Sequence, residues 1–154
     1  MERTHRTDTA SLTQLFWPAF MLNAVWEPIH AVLFYEGFQT VVFWPFFGRM
    51  AYATTIDALL ITGIAALGLL ADRTWFSTYT PKNMVVTAVA ALVIAAVIEA
   101  KALWLGQWAY TAGMPVFLGL GVSPLIQLPI TAVISMALTA ARLSPGRTPR
   151  EQSI

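Results

Sequence analysis

Residues Met84–Leu105 read MVVTAVAALVIAAVIEAKALWL, and only Glu99 and Lys101 carry charge over that length. As a helix at about 1.5 Å per residue the stretch covers about 33 Å, enough to cross about 30 Å of hydrocarbon. Its apolar residues form one continuous run with no two-residue alternation. In lipid only helices and closed barrels satisfy the backbone, and this pattern is helical. Three further stretches read the same way: Leu12–Phe34, Thr54–Ala71 and Leu118–Ala141. The expected fold class is an all-α membrane protein, a bundle of four transmembrane helices.

Composition supports lipid as the solvent. Hydrophobic residues make up 57% of the 154, and charged residues only 11%. Mean hydropathy is +0.64. A soluble domain of this size has no means of covering so much apolar surface. The net charge of +1 and the few basic residues at the ends provide no footprint for nucleic acid. The absence of cysteine excludes disulfides, thiolate catalysis and Cys-ligated zinc or iron–sulfur centres. No P-loop, HExxH or GxSxG pattern occurs. The first apolar stretch is long and carries Glu27, so it is expected to be a retained span and not a cleaved leader.

Basic residues set the expected orientation. Arg3, Arg6, Arg73, Lys82, Arg142, Arg147 and Arg150 fall on one side of a four-span arrangement, and Arg49 and Lys101 on the other. The excess of arginine and lysine places both termini in the cytoplasm and the chain in the cell's inner membrane. The first outer connection collects Tyr35, Phe38, Phe43, Trp44, Phe46 and Phe47 around Gly37, Pro45 and Gly48. It reads either as an aromatic belt at the interface or as a re-entrant lid. The second, from Gln107 to Phe117, is nearly uncharged. After Leu143 the tail, with Ser144, Pro145, Gly146 and Pro149, is expected to be disordered.

Depth is the informative property of the polar residues. Asn23, Glu27 and His30 are spaced i, i+4, i+7 and share one helical stripe. Glu27 falls about 6 Å outward of the midpoint of its span, and Glu99 about 7 Å outward of its own. Asp57, taken in the first turn of the second span, falls about 9 Å outward. Ser123 and Gln127 occupy the same half of the fourth span. Ionisable groups in hydrocarbon are costly and usually face the bundle interior. They mark a site or pathway, or they pair and only fix the packing. Asp57 reads equally as a helix cap, and Lys101 as a side chain snorkelling outward. Thr87, Ala91, Ala95 and Glu99 form an inward face on the third span. Gly119, Ser123, Gln127, Thr131, Ser135 and Thr139 form one on the fourth, read mainly as interhelical packing and hydrogen bonding. Pro28 frees the carbonyl of Ala24 and Pro129 that of Leu125, while Pro124 and Pro129 bracket Gln127. Such carbonyls either mark ordinary kinks or hold a cation or proton donor beside the acids.

Two stretches carry a resemblance. One is Asn23-Ala-Val-Trp26-Glu27-Pro-Ile-His30 with Leu33 and Tyr35. The other is Trp108-Ala-Tyr110, Met114-Pro115 and Gly119-Leu-Gly121-Val-Ser123-Pro124-Leu-Ile-Gln127. Together they resemble a family of small uncharacterised bacterial four-span integral membrane proteins. The likeness covers about a third of the chain; it implies the topology and a functional role for these stretches, but no activity. A looser analogy, through Ile29-His30 and Glu36-Gly37, is to sterol-isomerase-like (EXPERA) proteins, which also bury a histidine and carboxylates among membrane helices.

Three function classes follow. The first is acid–base chemistry on a lipid or isoprenoid. Glu27 is then the acid, His30 its partner or the base, and Glu99 and Asp57 the further carboxyls. Asn23, Trp26, Trp104, Trp108, Tyr110, Ser123 and Gln127 line the site, with the tryptophans facing a developing cation or an apolar small-molecule ligand. The second is a transport module binding a proton or a cation, which as a small chain would form a homo-oligomer. One histidine with carboxylates suits a hard or borderline metal but lacks a diagnostic spacing. The third is an accessory subunit of a larger membrane complex, with His30 as a ligand to pigment or haem.

Overall fold

A computed structural model describes residues 2–38, 43–76 and 79–143, with side chains from Ser11 onward. The expected disordered tail after Leu143 lies outside the described residues. The described chain forms helices α1 (Glu2–Phe34), α2 (Phe43–Ala71), α3 (Pro81–Trp104) and α4 (Val122–Leu143), with a two-stranded hairpin, β1 (Val116–Phe117) and β2 (Leu120–Gly121), before α4. The architecture is all-α, as the hydropathy pattern requires. Three helices, α2, α3 and α4, are long and apolar enough to cross a membrane. α1 is the longest at 33 residues, but Gln14, Asn23, Glu27 and His30 dilute its apolar content.

α1 packs along α2 and α4, and α3 packs along α4, while α2 and α3 meet over few residues. The helices close on small residues. Ala19, Ala58, Ala65, Ala91 and Ala132 are buried among Leu15, Ile61, Leu128 and Met136. Without a hydrophobic drive between helices in lipid, such small side chains let backbones approach and gain dispersion contact. The outer faces carry the large apolar residues, among them Val85, Val89, Val93 and Val97 on α3. Where α2 and α3 diverge, an apolar groove of about 490 Å³ opens, lined by Ile56, Leu60, Gly63 and Leu67 of α2 and Ile94 of α3.

Two expected boundaries move. α2 begins at Phe43 and not at Thr54, so Phe43, Trp44, Phe46 and Phe47 form its opening turns and not a lid. Pro45 sits in the first turn, where its missing N–H leaves no hydrogen bond broken. Asp57 consequently lies about four turns inside the helix and does not cap it. At the other end, Gly119 is not part of the α4 stripe. Leu118 and Gly119, both with positive φ (52° and 81°), make the two-residue turn of the β1–β2 hairpin, with Phe117 opposite Leu120. Pro124 then falls in the first turn of α4, leaving Pro129 as the proline inside that helix.

The expected hydrogen bonds of the α4 stripe also change character. The hydroxyls of Thr131, Ser135 and Thr139 donate to carbonyls one turn back on their own helix, those of Gln127, Thr131 and Ser135. In an apolar medium the nearest unshared carbonyl lone pair is the cheapest acceptor. Links between helices run from Gln127 to Asn23, Glu27 and Asp57, from Thr131 to Asn23 on α1, and from Thr87 of α3 to the sulfur of Met136.

The α2–α3 connection folds back under α2. The Asp72 carboxylate accepts from the Thr74 amide and hydroxyl, at 2.8 and 2.7 Å. These bonds hold its pKa below the ordinary aspartate value. The contribution of this turn is thus complete at neutral pH and fades only as pH falls through that lowered value. Beyond it, the Trp75 indole lies flat on Gly68, where an added Cβ would meet the ring at 2.5 Å. Gly68→Ala is expected to displace Trp75 and destabilise the bundle by about 1–3 kcal/mol. Thermal unfolding in detergent micelles checks this; an unchanged midpoint contradicts the packing.

Candidate functional site

The polar residues singled out along the chain assemble into two centres at the end of the bundle near the α3–α4 connection. The first is built by three helices. The stripe on α1 delivers Asn23 and Glu27 to the interior, α2 delivers Asp57, and α4 delivers Gln127. The Gln127 side-chain amide donates to Asn23 Oδ1 at 3.0 Å, Glu27 Oε1 at 2.5 Å and Asp57 Oδ2 at 2.9 Å. Asn23 donates in turn to the Ala19 carbonyl at 2.9 Å. Asn23 is fully buried, Gln127 and Glu27 nearly so, and Asp57 is half-buried.

This geometry has a chemical consequence. A carboxamide nitrogen carries two hydrogens, yet three acceptors converge on it. The carboxyls of Glu27 and Asp57, which come from different helices, thus converge on one amide nitrogen. Among the described residues no lysine or arginine pairs with either group.

The second centre surrounds Glu99 of α3, which is 2% exposed. Its Oε1 accepts from the Tyr35 hydroxyl at 3.5 Å, the Trp108 indole N–H at 3.3 Å and the Tyr110 hydroxyl. Tyr110 also accepts from the Gly121 amide at 2.7 Å. The backbone fixes this clasp: Glu36 donates to the Ala109 carbonyl and Thr111 to that of Phe34, at 2.9 Å each. The chain leaving α1 is thereby bridged to the connection that carries Trp108 and Tyr110. Ring contacts of Tyr35 with Trp108 (5.5 Å) and Tyr110 (5.9 Å) pack the clasp.

His30 stands between the two centres. It is 4% exposed, and neither ring nitrogen has a hydrogen-bond partner among the described residues. It lies three residues, about one turn, beyond Glu27 on α1. Its ring lies 4.9 Å from that of Tyr35.

Glu27, Asp57, Asn23 and Gln127 therefore come together, and Glu99, Trp108 and Tyr110 come together separately. Ser123 is buried in the first turn of α4, and Trp26 is half-buried on α1. Trp104 is 84% exposed and points away from both centres. Lys101 is exposed beside it, consistent with snorkelling. The residue that sequence reasoning did not assign to the site is Tyr35, which joins the Glu99 clasp. Tyr35 lies five residues past His30 and just beyond the end of α1, off the helical face of the Asn23–Glu27–His30 stripe, so periodicity gave no signal for it. Comparison with protein-family models, with curated proteins and with solved structures finds no match.

Gln127 is the common donor of the first centre. Gln127→Leu is expected to destabilise the protein by about 3 kcal/mol, because it leaves buried acceptors unsatisfied. Adding Glu27→Gln and Asp57→Asn to that variant should recover part of the loss. Denaturation of the single and triple variants in micelles checks both; equal stability of Gln127→Leu and wild type contradicts the assignment.

Proposed function

We propose that this chain is a multi-pass inner-membrane protein whose bundle holds a proton-binding site, the Glu27–Asp57 carboxyl pair organised by Gln127. The polar stripe of α1 is buried against α2 and α4, which supports α1 as a fourth span. The distribution of basic residues supports cytoplasmic termini and a site in the outer-leaflet half. The observation that carries the reading is the approach of two carboxyls from different helices onto one amide nitrogen. Such a pair takes up and releases one proton with little movement, the elementary step of proton-coupled transport in membranes. A chain this small would act as a homo-oligomer or within a larger membrane complex.

Infrared spectroscopy of the protein in liposomes tests this. A protonated-carboxyl band should appear as pH is lowered, and Asp57→Asn and Glu27→Gln should each remove it. A band unaffected by both substitutions, or none in wild type, refutes the carboxyl-pair reading.

A second reading, acid–base chemistry on a lipid or isoprenoid, has one observation in its favour. The apolar groove between α2 and α3 includes Ile56, the neighbour of Asp57, and Leu60, one turn further. An isoprenoid chain in that groove would bring its polar end toward Asp57. Under this reading the membrane lipids of cells expressing wild type and Glu27→Gln differ by mass spectrometry; identical lipid profiles remove it.

A further inference from the structure

His30 is the buried titratable group that neither centre uses. Burying an imidazole with neither nitrogen hydrogen-bonded among the described residues is unfavourable, so its position calls for a compensating role. Several groups face it. From α1 come Glu27, one turn back, and Tyr35, whose ring it touches. Asp57 of α2 stands behind Glu27, and Glu99 of α3 behind the Tyr35 hydroxyl. Tyr110 continues from Glu99 into the α3–α4 connection and is itself half-buried. Lys101 is exposed.

We propose that His30 is a proton relay between two stations, the Glu27–Asp57 pair in the bundle and the Glu99 clasp at its end, and that Tyr110 opens the second station to the outer surface. The inference rests on the carboxyl-pair reading and adds its route of access. In the inward direction, a proton on Glu99 passes through the Tyr35 hydroxyl. That hydroxyl accepts the Glu99 proton as it gives its own to one ring nitrogen of His30. The imidazolium so formed releases the proton on its other nitrogen to the carboxylate of the pair. In the first transfer the Glu99 and Tyr35 O–H bonds break while a new Tyr35 O–H and a His30 N–H form; in the second the ring's other N–H breaks and a carboxyl O–H forms, so charge is conserved and no oxidant or second substrate takes part. Neutral imidazole suits that exchange because it is donor and acceptor at once; both nitrogens are without a hydrogen-bond partner among the described residues, so side-chain rotation has to bring each neighbour into reach.

The decisive measurement is the rate at which the carboxyl band of the pair follows a rapid pH jump, with the full chain in liposomes of defined phospholipid. His30→Gln and Glu99→Gln are each expected to slow the response by about 100-fold, with its final amplitude retained. Tyr110→Phe should slow it in the same sense. Unchanged rates in both His30→Gln and Glu99→Gln overturn the relay. Slowing in His30→Gln alone overturns the role of Glu99 as the second station. Where His30→Gln lacks the helical circular dichroism of wild type, Glu99→Gln and Tyr110→Phe decide in its place. The two readings fail differently: absence of an Asp57-dependent band in wild type defeats the carboxyl pair, whereas a normal band with unaltered kinetics defeats only the relay.

Discussion

Two carboxyl groups held to one amide inside an apolar bundle, with no lysine or arginine against them among the described residues, impose the condition that the other polar side chains answer. Charge in hydrocarbon is expensive, and like charges side by side are more so. The chain meets this in two ways. At Glu27 and Asp57 it supplies one amide, from Gln127, to both carboxyls. At Glu99 it supplies three donors, two phenols and an indole, from segments far apart in sequence. The first solution leaves the carboxyls chemically restless; the second surrounds one carboxyl with donors fixed by backbone bonds.

The helix arrangement serves this polar interior. Alanines at the crossings bring α1 close to α2 and α4, which is what allows Asn23, Glu27, Asp57 and Gln127 to reach one another. Val85, Val89, Val93 and Val97 of α3, with Leu59, Leu67 and Leu70 of α2, remain exposed on the outside. The wider separation of α2 from α3 leaves an apolar groove whose lining includes Ile56, the chain neighbour of Asp57.

The sequence was most legible where periodicity speaks directly. The stripe of Asn23, Glu27 and His30 is a consequence of 3.6 residues per turn, and all three point inward in the structure. Pairing across helices was not legible. Glu27, His30, Glu99 and Gln127 share a depth in any four-span arrangement, but equal depth does not fix azimuth. Glu99 faces Trp108 and Tyr110, and Gln127 faces α1 and α2. Asp57 shows the same limit: with α2 begun at Thr54 it is a capping residue, and with α2 begun at Phe43 it is an interior one. The helix start depended on aromatic residues whose hydropathy is indistinguishable from that of an interfacial loop.

The amino-acid sequence by itself determined that this is a helical chain for lipid, with three segments apolar enough to cross a membrane and a fourth carrying most of its polar stripe. Hydropathy and helical period are local properties, summed over a turn or a span. Tertiary structure alone decided which carboxyls share a donor, that Tyr35 belongs with Glu99, and that His30 stands between two centres without a hydrogen-bond partner among the described residues. Those outcomes depend on helix rotation and on the path of the α3–α4 connection, set by close packing across elements dozens of residues apart.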